Sequence, residues 1–306
     1  MTVAQLDTTT GSPGSLIGLD GQIQWAGLLL GPGTPYEIAA SGLTGWADLP
    51  ALDSGDVLRP DQHGAWPGAQ WAQPRTVSAT VWLLPDDVSQ ADAVIGGFLG
   101  ATGVNSAEQW LAVRLHGRTL ACRARVSQRV VPTDRTYATQ GAAKVTLQWT
   151  CSDPRRYDVA EWTARTGLPA PEPGLSWEPG LDWPLDWGVA GATGNITVTN
   201  EGDAPTAPVV EFRGPVTLPS LTRVADGAKL QYDITLADTD VLTVDTSAGT
   251  VLLNGTASRL FTATPQSLPE YLFQLAPGPT SLAFRAAPGP VDPAASVSVS
   301  WRSARW

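Results

Sequence analysis

Apolar residues recur at every second position in several runs along this chain. Between Arg75 and Leu83, Val77, Ala79, Val81 and Leu83 alternate with Thr76, Ser78, Thr80 and Trp82, the pattern of a strand with one buried face. Ile23 to Leu30 reads as one strand ended by Gly31-Pro32-Gly33, and Tyr36 to Ile38 begins another. Leu111, Val113 and Leu115, a turn at His116-Gly117, and Leu120, Cys122, Ala124 and Val126 predict a hairpin. Val145 to Cys151 predicts the last strand of this half, stopped by Asp153-Pro154. The period changes once. After Pro85, Asp86 or Asp87 caps a helix whose Val88, Ala91, Val94, Ile95 and Phe98 share a face, and Gly100 and Gly103 end it.

Two stretches break the alternation. Residues 45–73 are rich in Asp, Gly, Pro and Trp and read as a long loop, a length that a compact domain keeps for function or leaves disordered. Trp66 and Trp71 favour contact over disorder. Residues 158–192 interleave prolines with Trp162, Trp177, Trp183 and Trp187, which predicts an extended, ordered linker. Beyond Gly194 short runs return with turn signals between them: 196–199, 209–212, 230–234, 241–244, 250–253, 271–275, 281–284 and 297–301. Short strands at this spacing without helical periodicity predict an antiparallel β-sandwich. The expected architecture is therefore all-β with one short helix. Its parts are an N-terminal β domain over 1–157, a linker over 158–192 and a sandwich over 193–306.

Composition adds exclusions. At 306 residues the chain has room for two domains, and 42% hydrophobic against 16% charged residues suits packed cores. A net charge of -10 argues against a protein built to grip phosphates. Of the 19 cationic residues only Lys144 and Lys229 are lysines, which reads as a GC-rich coding bias. The two cysteines, Cys122 and Cys151, fall at inward positions of alternating segments and are expected as buried free thiols. Met1 to Asp20 lacks a signal-peptide pattern and no run approaches a membrane span, so a soluble, cytoplasmically made product without a membrane partner is expected.

Chemistry-bearing patterns are scarce. His63 and His116 are the only histidines and neither has a partner at metal-ligand spacing; no glycine-rich loop precedes a helix. Catalytic residues, metal and cofactors are expected to be none. Asp203, Asp226, Asp238 and Asp240 sit in turn-like segments, where the carboxylate bonds local backbone. The thirteen tryptophans admit two readings, sugar stacking or protein interface, with Trp66, Trp71, Trp177, Trp183 and Trp187 as candidates and the interface favoured.

Several pieces in order along the chain resemble the distal tail proteins of siphophages, particularly those infecting actinobacteria, where they are minor tail proteins. These are Gly33-Thr34-Pro35-Tyr36, the loop with Asp56, Arg59, Pro60, Asp61 and Gly64, and Asp153-Pro154-Arg155-Arg156-Tyr157. They continue with Asn200-Glu201-Gly202-Asp203-Ala204-Pro205, Arg213-Gly214-Pro215, Asp245-Thr246, Asn254-Gly255, Leu275-Ala276-Pro277-Gly278 and Trp301-Arg302. The resemblance implies an N-terminal domain that closes, six copies at a time, into a ring continuing the tail tube, and a galectin-like C-terminal sandwich. It implies as partners further copies of the chain, the tail tube protein, a hub or tape-measure protein, and peripheral baseplate or receptor-binding proteins. It places the protein in the virion, at the tip of a long non-contractile tail assembled in the host cytoplasm, with DNA passing through the lumen unbound. Arg59 joins the tryptophans as an interface candidate, and 45–73 is the arm expected to reach the next subunit. Since an acidic protein repels phosphates, the lumen is expected to be acidic or neutral. A carbohydrate-binding module serving host adhesion is the alternative; a glycoside hydrolase stands third.

Overall fold

The structure, a computed structural model, describes residues 12–170, 193–289 and 292–306. Trp177, Trp183 and Trp187 lie outside these residues. The chain divides into two compact units, residues 1–159 with Trp306, and residues 160–305.

In chain order the first unit holds β1 (Ile23–Trp25), β2 (Leu28–Leu30), β3 (Tyr36–Thr44), β4 (Leu52–Ser54), β5 (Val57–Leu58), β6 (Ala65–Trp66), β7 (Gln70–Ala72) and β8 (Arg75–Leu83). Then come α1 (Ala91–Ala101), β9 (Gln109–Leu115), β10 (Arg118–Val130), α2 (Arg135–Gln140), β11 (Ala143–Cys151) and β12 (Arg156–Asp158). The main sheet runs β2-β1-β9-β10-β11-β8-β3, with β12 also paired to β10. Its ladders are antiparallel. β10 is shared: Arg118 to Ala124 pair with β9, and Arg125 to Val130 pair with β11 across a bulge between Val126 and Gln128. Val77, Ala79, Val81 and Leu83 face inward as their alternation requires, against Val145, Leu147, Trp149, Cys122 and Phe98. Trp25 meets Trp149 edge-on with ring centroids 6.0 Å apart. The His116-Gly117 turn has both residues at positive φ, 51° and 75°, the geometry that a two-residue hairpin requires.

Three sequence expectations are corrected in this unit. Ile23 to Leu30 is a hairpin, because Ala26 (φ 46°) and Gly27 (φ 80°) turn the chain between β1 and β2. The helix begins at Ala91, preceded by a 3-10 turn over Val88–Gln90 in which Asp87 accepts a hydrogen bond from the Ser89 amide, so Val88 stays exposed. Helix α2 was not expected. Asp134 caps it through the Tyr137 amide, and Gly141 closes it in the left-handed conformation.

The second unit holds β13 (Trp162–Gly167), β14 (Asn195–Asn200), β15 (Val209–Arg213), β16 (Val216–Thr217), β17 (Ser220–Arg223), β18 (Lys229–Gln231), β19 (Thr235–Leu236), β20 (Val241–Asp245), β21 (Thr250–Leu253), β22 (Ala257–Ser258), β23 (Gly278–Arg285) and β24 (Ser296–Trp301). One sheet runs β13-β24-β15-β20-β21-β22 and the other β14-β23-β17-β18. Val210, Phe212, Leu242, Val244, Val297 and Val299 of the first meet Val198, Leu221, Leu230, Leu282 and Phe284 of the second in one core. Trp162–Gly167, inside the stretch read as linker, pairs with Ser296–Trp301 along its whole length. The expected strand over 271–275 is not one: Glu270–Leu272 is a 3-10 turn, held where Tyr232 donates to the buried Glu270 carboxylate at 3.0 Å.

The pieces on which the sequence resemblance rests hold turns and ends in place. Asp153 accepts from Arg155 Nε at 2.8 Å, from Arg155 Nη2 at 2.9 Å and from the Tyr157 hydroxyl, closing the turn after β11. Burial, then the Asp153 charge and that bond, push the Tyr157 phenol's pKa upward. Buried Asn200 donates to the Ala204 and Leu275 carbonyls and accepts from the Ala304 amide. Gly202 is obligatory beside it, since a Cβ there would lie 1.7 Å from the Ala304 carbonyl oxygen.

Candidate assembly interface

Residues 45–73 form a two-rung β-hairpin rather than an open loop. Leu52, Asp53 and Ser54 pair with Ala72, Trp71 and Gln70; farther out, Val57 and Leu58 pair with Trp66 and Ala65. Each ladder is only two or three residues long, too short for alternation to show in the sequence. Between the rungs the strands come very close. A Cβ on Gly68 would stand 2.3 Å from the Gly55 carbonyl carbon and oxygen. Asp56 bridges the same place, its carboxylate accepting from the Gly68 amide at 2.7 Å, and this bond holds its pKa below the ordinary carboxylate value.

This arm carries large apolar side chains in water: Trp71 is 70% exposed, Leu58 80% and Trp66 52%, and Leu49, Leu52 and Val57 are exposed as well. Of the sequence candidates, the structure brings Arg59 and Trp66 together, with the Arg59 guanidinium 5.5 Å from the indole centroid. That contact stiffens the tip. Trp71 stands one rung away, opposite Asp53. Exposed indoles and an arginine grouped on one hairpin are residue types that protein interfaces enrich and that contribute most of their energy.

The arm is anchored by a residue that the sequence reading passed over. Arg75 opens β8 in the inward phase of its alternation and is only 2% exposed. Its Nη1 donates to the Gly45, Trp46 and Asp48 carbonyls at 2.8, 3.1 and 2.6 Å, and its Nε donates to Pro154 at 2.8 Å. One guanidinium thus holds both the root of the arm and the turn after β11. A charge in phase with Val77, Ala79 and Val81 was the available signal. Gly45 belongs to the same anchor: its φ is +79°, and a Cβ there would lie 1.9 Å from the Thr76 oxygen. Gly45→Ala is expected to lower stability by about 2 kcal/mol or more, read as a reduced denaturant midpoint, whereas Gly64→Ala near the tip, with open space around its Cβ, should cost less.

Elsewhere the described residues offer little for catalysis. An open recess of about 510 Å³ lies beside Trp25, Leu28, Gly97, Gly100, Val104 and Val126, and no carboxylate lines it. Asp226 is engaged by Arg223 and by the Ala228 amide, and Asp240 by Asn254 and the Ala237 amide, so both carboxylates serve their own turns. Hydrogen bonds to those partners hold both pKa values below the ordinary carboxylate value. No helix among the described residues is long and apolar enough to cross a membrane.

Residues 201–306 match the family described as "Siphovirus-type tail component, C-terminal domain". No curated protein sequence matches the chain. Among solved structures, the Dit protein (gp 19.1) of phage SPP1, described as a paradigm of the hub adsorption apparatus in phages infecting Gram-positive bacteria, aligns with a TM-score of 0.62 at 14% identity. The alignment covers 92% of this chain and 98% of that one. The baseplate of phage P2 in its activated conformation with Ca aligns at 0.49 with 7% identity over 88% and 91% of the chains, too distant to carry weight. The mostly β, two-domain architecture is thus that of SPP1 Dit.

Proposed function

We propose that this chain, a structural and non-enzymatic tail component of siphovirus type in its second domain, is a distal tail protein whose first domain closes into a six-membered ring at the tip of a long non-contractile tail. The observation that carries the reading is the arm: a hairpin rooted by a buried arginine, bearing exposed indoles, on a domain whose own core is already complete. A closed ring needs one subunit to present a surface that a different surface of the next receives, and a projecting hairpin supplies the first of these. DNA crosses the lumen without binding, in keeping with the net charge of -10. The ring joins the tail tube to the hub or tape-measure side, and the second domain displays peripheral baseplate or receptor-binding proteins.

Origin in a phage of actinobacteria rests on the sequence resemblance and on the arginine-for-lysine bias. The sugar-binding alternative weakens, because Trp66 and Trp71 sit on the first domain's arm and not on the sandwich from which the galectin-like analogy was drawn. Native mass measurement of the purified chain across a concentration series tests the ring. Species of six copies are expected; a chain that stays monomeric up to the highest soluble concentration contradicts the reading.

A further inference from the structure

Cys122 and Cys151 are the only cysteines of the chain, and both are fully buried. Their positions follow from register. The β10–β11 ladder ends at Arg125 opposite Thr150; Cys151 follows Thr150, and Cys122, Ala124 and Cys151 all face the same core. The two Sγ atoms are 3.0 Å apart, about 1 Å more than the ~2.0 Å of a formed S–S bond. A small shift of side chains within one sheet closes that gap. Arg75 adds a second, independent feature: its Nη2 is buried without a hydrogen-bond partner, and its charge acts on Cys122.

The geometry points to Cys122 and Cys151 as a cross-linking site, a dithiol that closes to an intrachain disulfide when a low-molecular-weight disulfide such as oxidised glutathione is available. In the first step one cysteine gives up its proton, its thiolate attacks a sulfur of the reagent, and one glutathione thiolate leaves. In the second, the other cysteine, deprotonated in turn, attacks the mixed disulfide and expels the second glutathione. Two protein thiols are oxidised and one glutathione disulfide is reduced to two thiols, which take up the two protons. The neighbouring Arg75 guanidinium favours the Cys122 thiolate. The hydrogen bond with Cys151, in which the Cys122 thiol donates, and burial oppose it, pushing the Cys122 thiol well above its ordinary value. Exchange in the folded chain is therefore slow at neutral pH and faster in alkaline buffer. The bond would tie β10 to β11 directly beneath the anchor of the arm. It does not depend on the ring reading.

The test uses the full chain in two arms. In one the folded protein is incubated with oxidised glutathione in mildly alkaline buffer; in the other it is refolded from denaturant in a glutathione redox buffer. Both are then unfolded in iodoacetamide and weighed intact. The expected product has lost two hydrogens, takes up no alkyl group and melts several degrees higher than the reduced chain. Cys122→Ala, weighed in parallel, should give no such product. Appearance in the refolding arm alone also supports the site and locates the barrier in access to the core. Two alkyl groups per chain in both arms, a stable single glutathione adduct, or disulfide-linked dimers would overturn the proposal.

Discussion

Replacing Trp66 and Trp71 together by alanine is expected to abolish ring formation while leaving the chain folded. Both indoles are more than half exposed, so their loss should change folding stability by no more than about 0.5 kcal/mol. Their effect on association should be large. Buried tryptophans at interface centres contribute about 2 kcal/mol or more each when truncated, so the pair weakens each subunit contact by about 4 kcal/mol, roughly a thousandfold. A ring repeats that loss at every contact. The double variant should therefore run as a monomer at concentrations where the parent is ring-shaped, with an unchanged thermal midpoint. Rings of the double variant with ordinary stability would show that the arm is not the contact.

Arg75→Met should act through the fold. The buried guanidinium satisfies four carbonyls from two segments, and methionine keeps the apolar stem while removing every donor. The expected loss is about 3 kcal/mol, given that bonds to charged groups are worth about 1.5–3 kcal/mol and do not add, or a fall of about 6–12 °C in the midpoint of a domain this size. Local consequences should exceed the global one. With its root freed, residues 45–73 should become cleavable by protease under conditions where the parent resists. Arg75→Lys should rescue only in part, because one ammonium lacks the planar fork that serves Pro154 and the 45–48 turn together. A midpoint within 2 °C of the parent would contradict the anchoring role.

What was legible in the sequence followed burial. Wherever one face of a strand is buried, as at Val77 to Leu83 or Val297 to Trp301, the two-residue period survives in the letters and the strand falls where expected. The losses have local causes. Ala26-Gly27 is a left-handed turn hidden inside an apolar run, and alanine gives no turn signal. Tyr271 to Leu275 looks like a strand by composition, but the bond between Tyr232 and Glu270 holds a 3-10 turn there, a tertiary contact beyond the reach of local pattern. Helix α2 did carry a signal, Asp134 before it and Gly141 after it, with too few residues between for a period.

The candidate interface was half legible. Trp66 and Trp71 stood out because nothing periodic explained them, Arg59 entered through the family resemblance, and the arm's position in the chain was expected. Its hairpin geometry was not, because ladders of two and three pairs exposed on both faces leave no alternation. Arg75 was overlooked although its place in phase with Val77 marks it as inward. Composition treats every arginine as solvated, and only phase separates this one.

The central claim is that the arm of one copy meets the next. Electron cryo-microscopy of the assembled full-length chain examines it most directly, at a resolution that separates strands. The account predicts six-fold rings in which density for residues 45–73 leaves its own domain and lies against the adjacent subunit, with Trp66 and Trp71 buried there. Rings closed by other surfaces, with the arm free in solvent or folded back on its own domain, would contradict it.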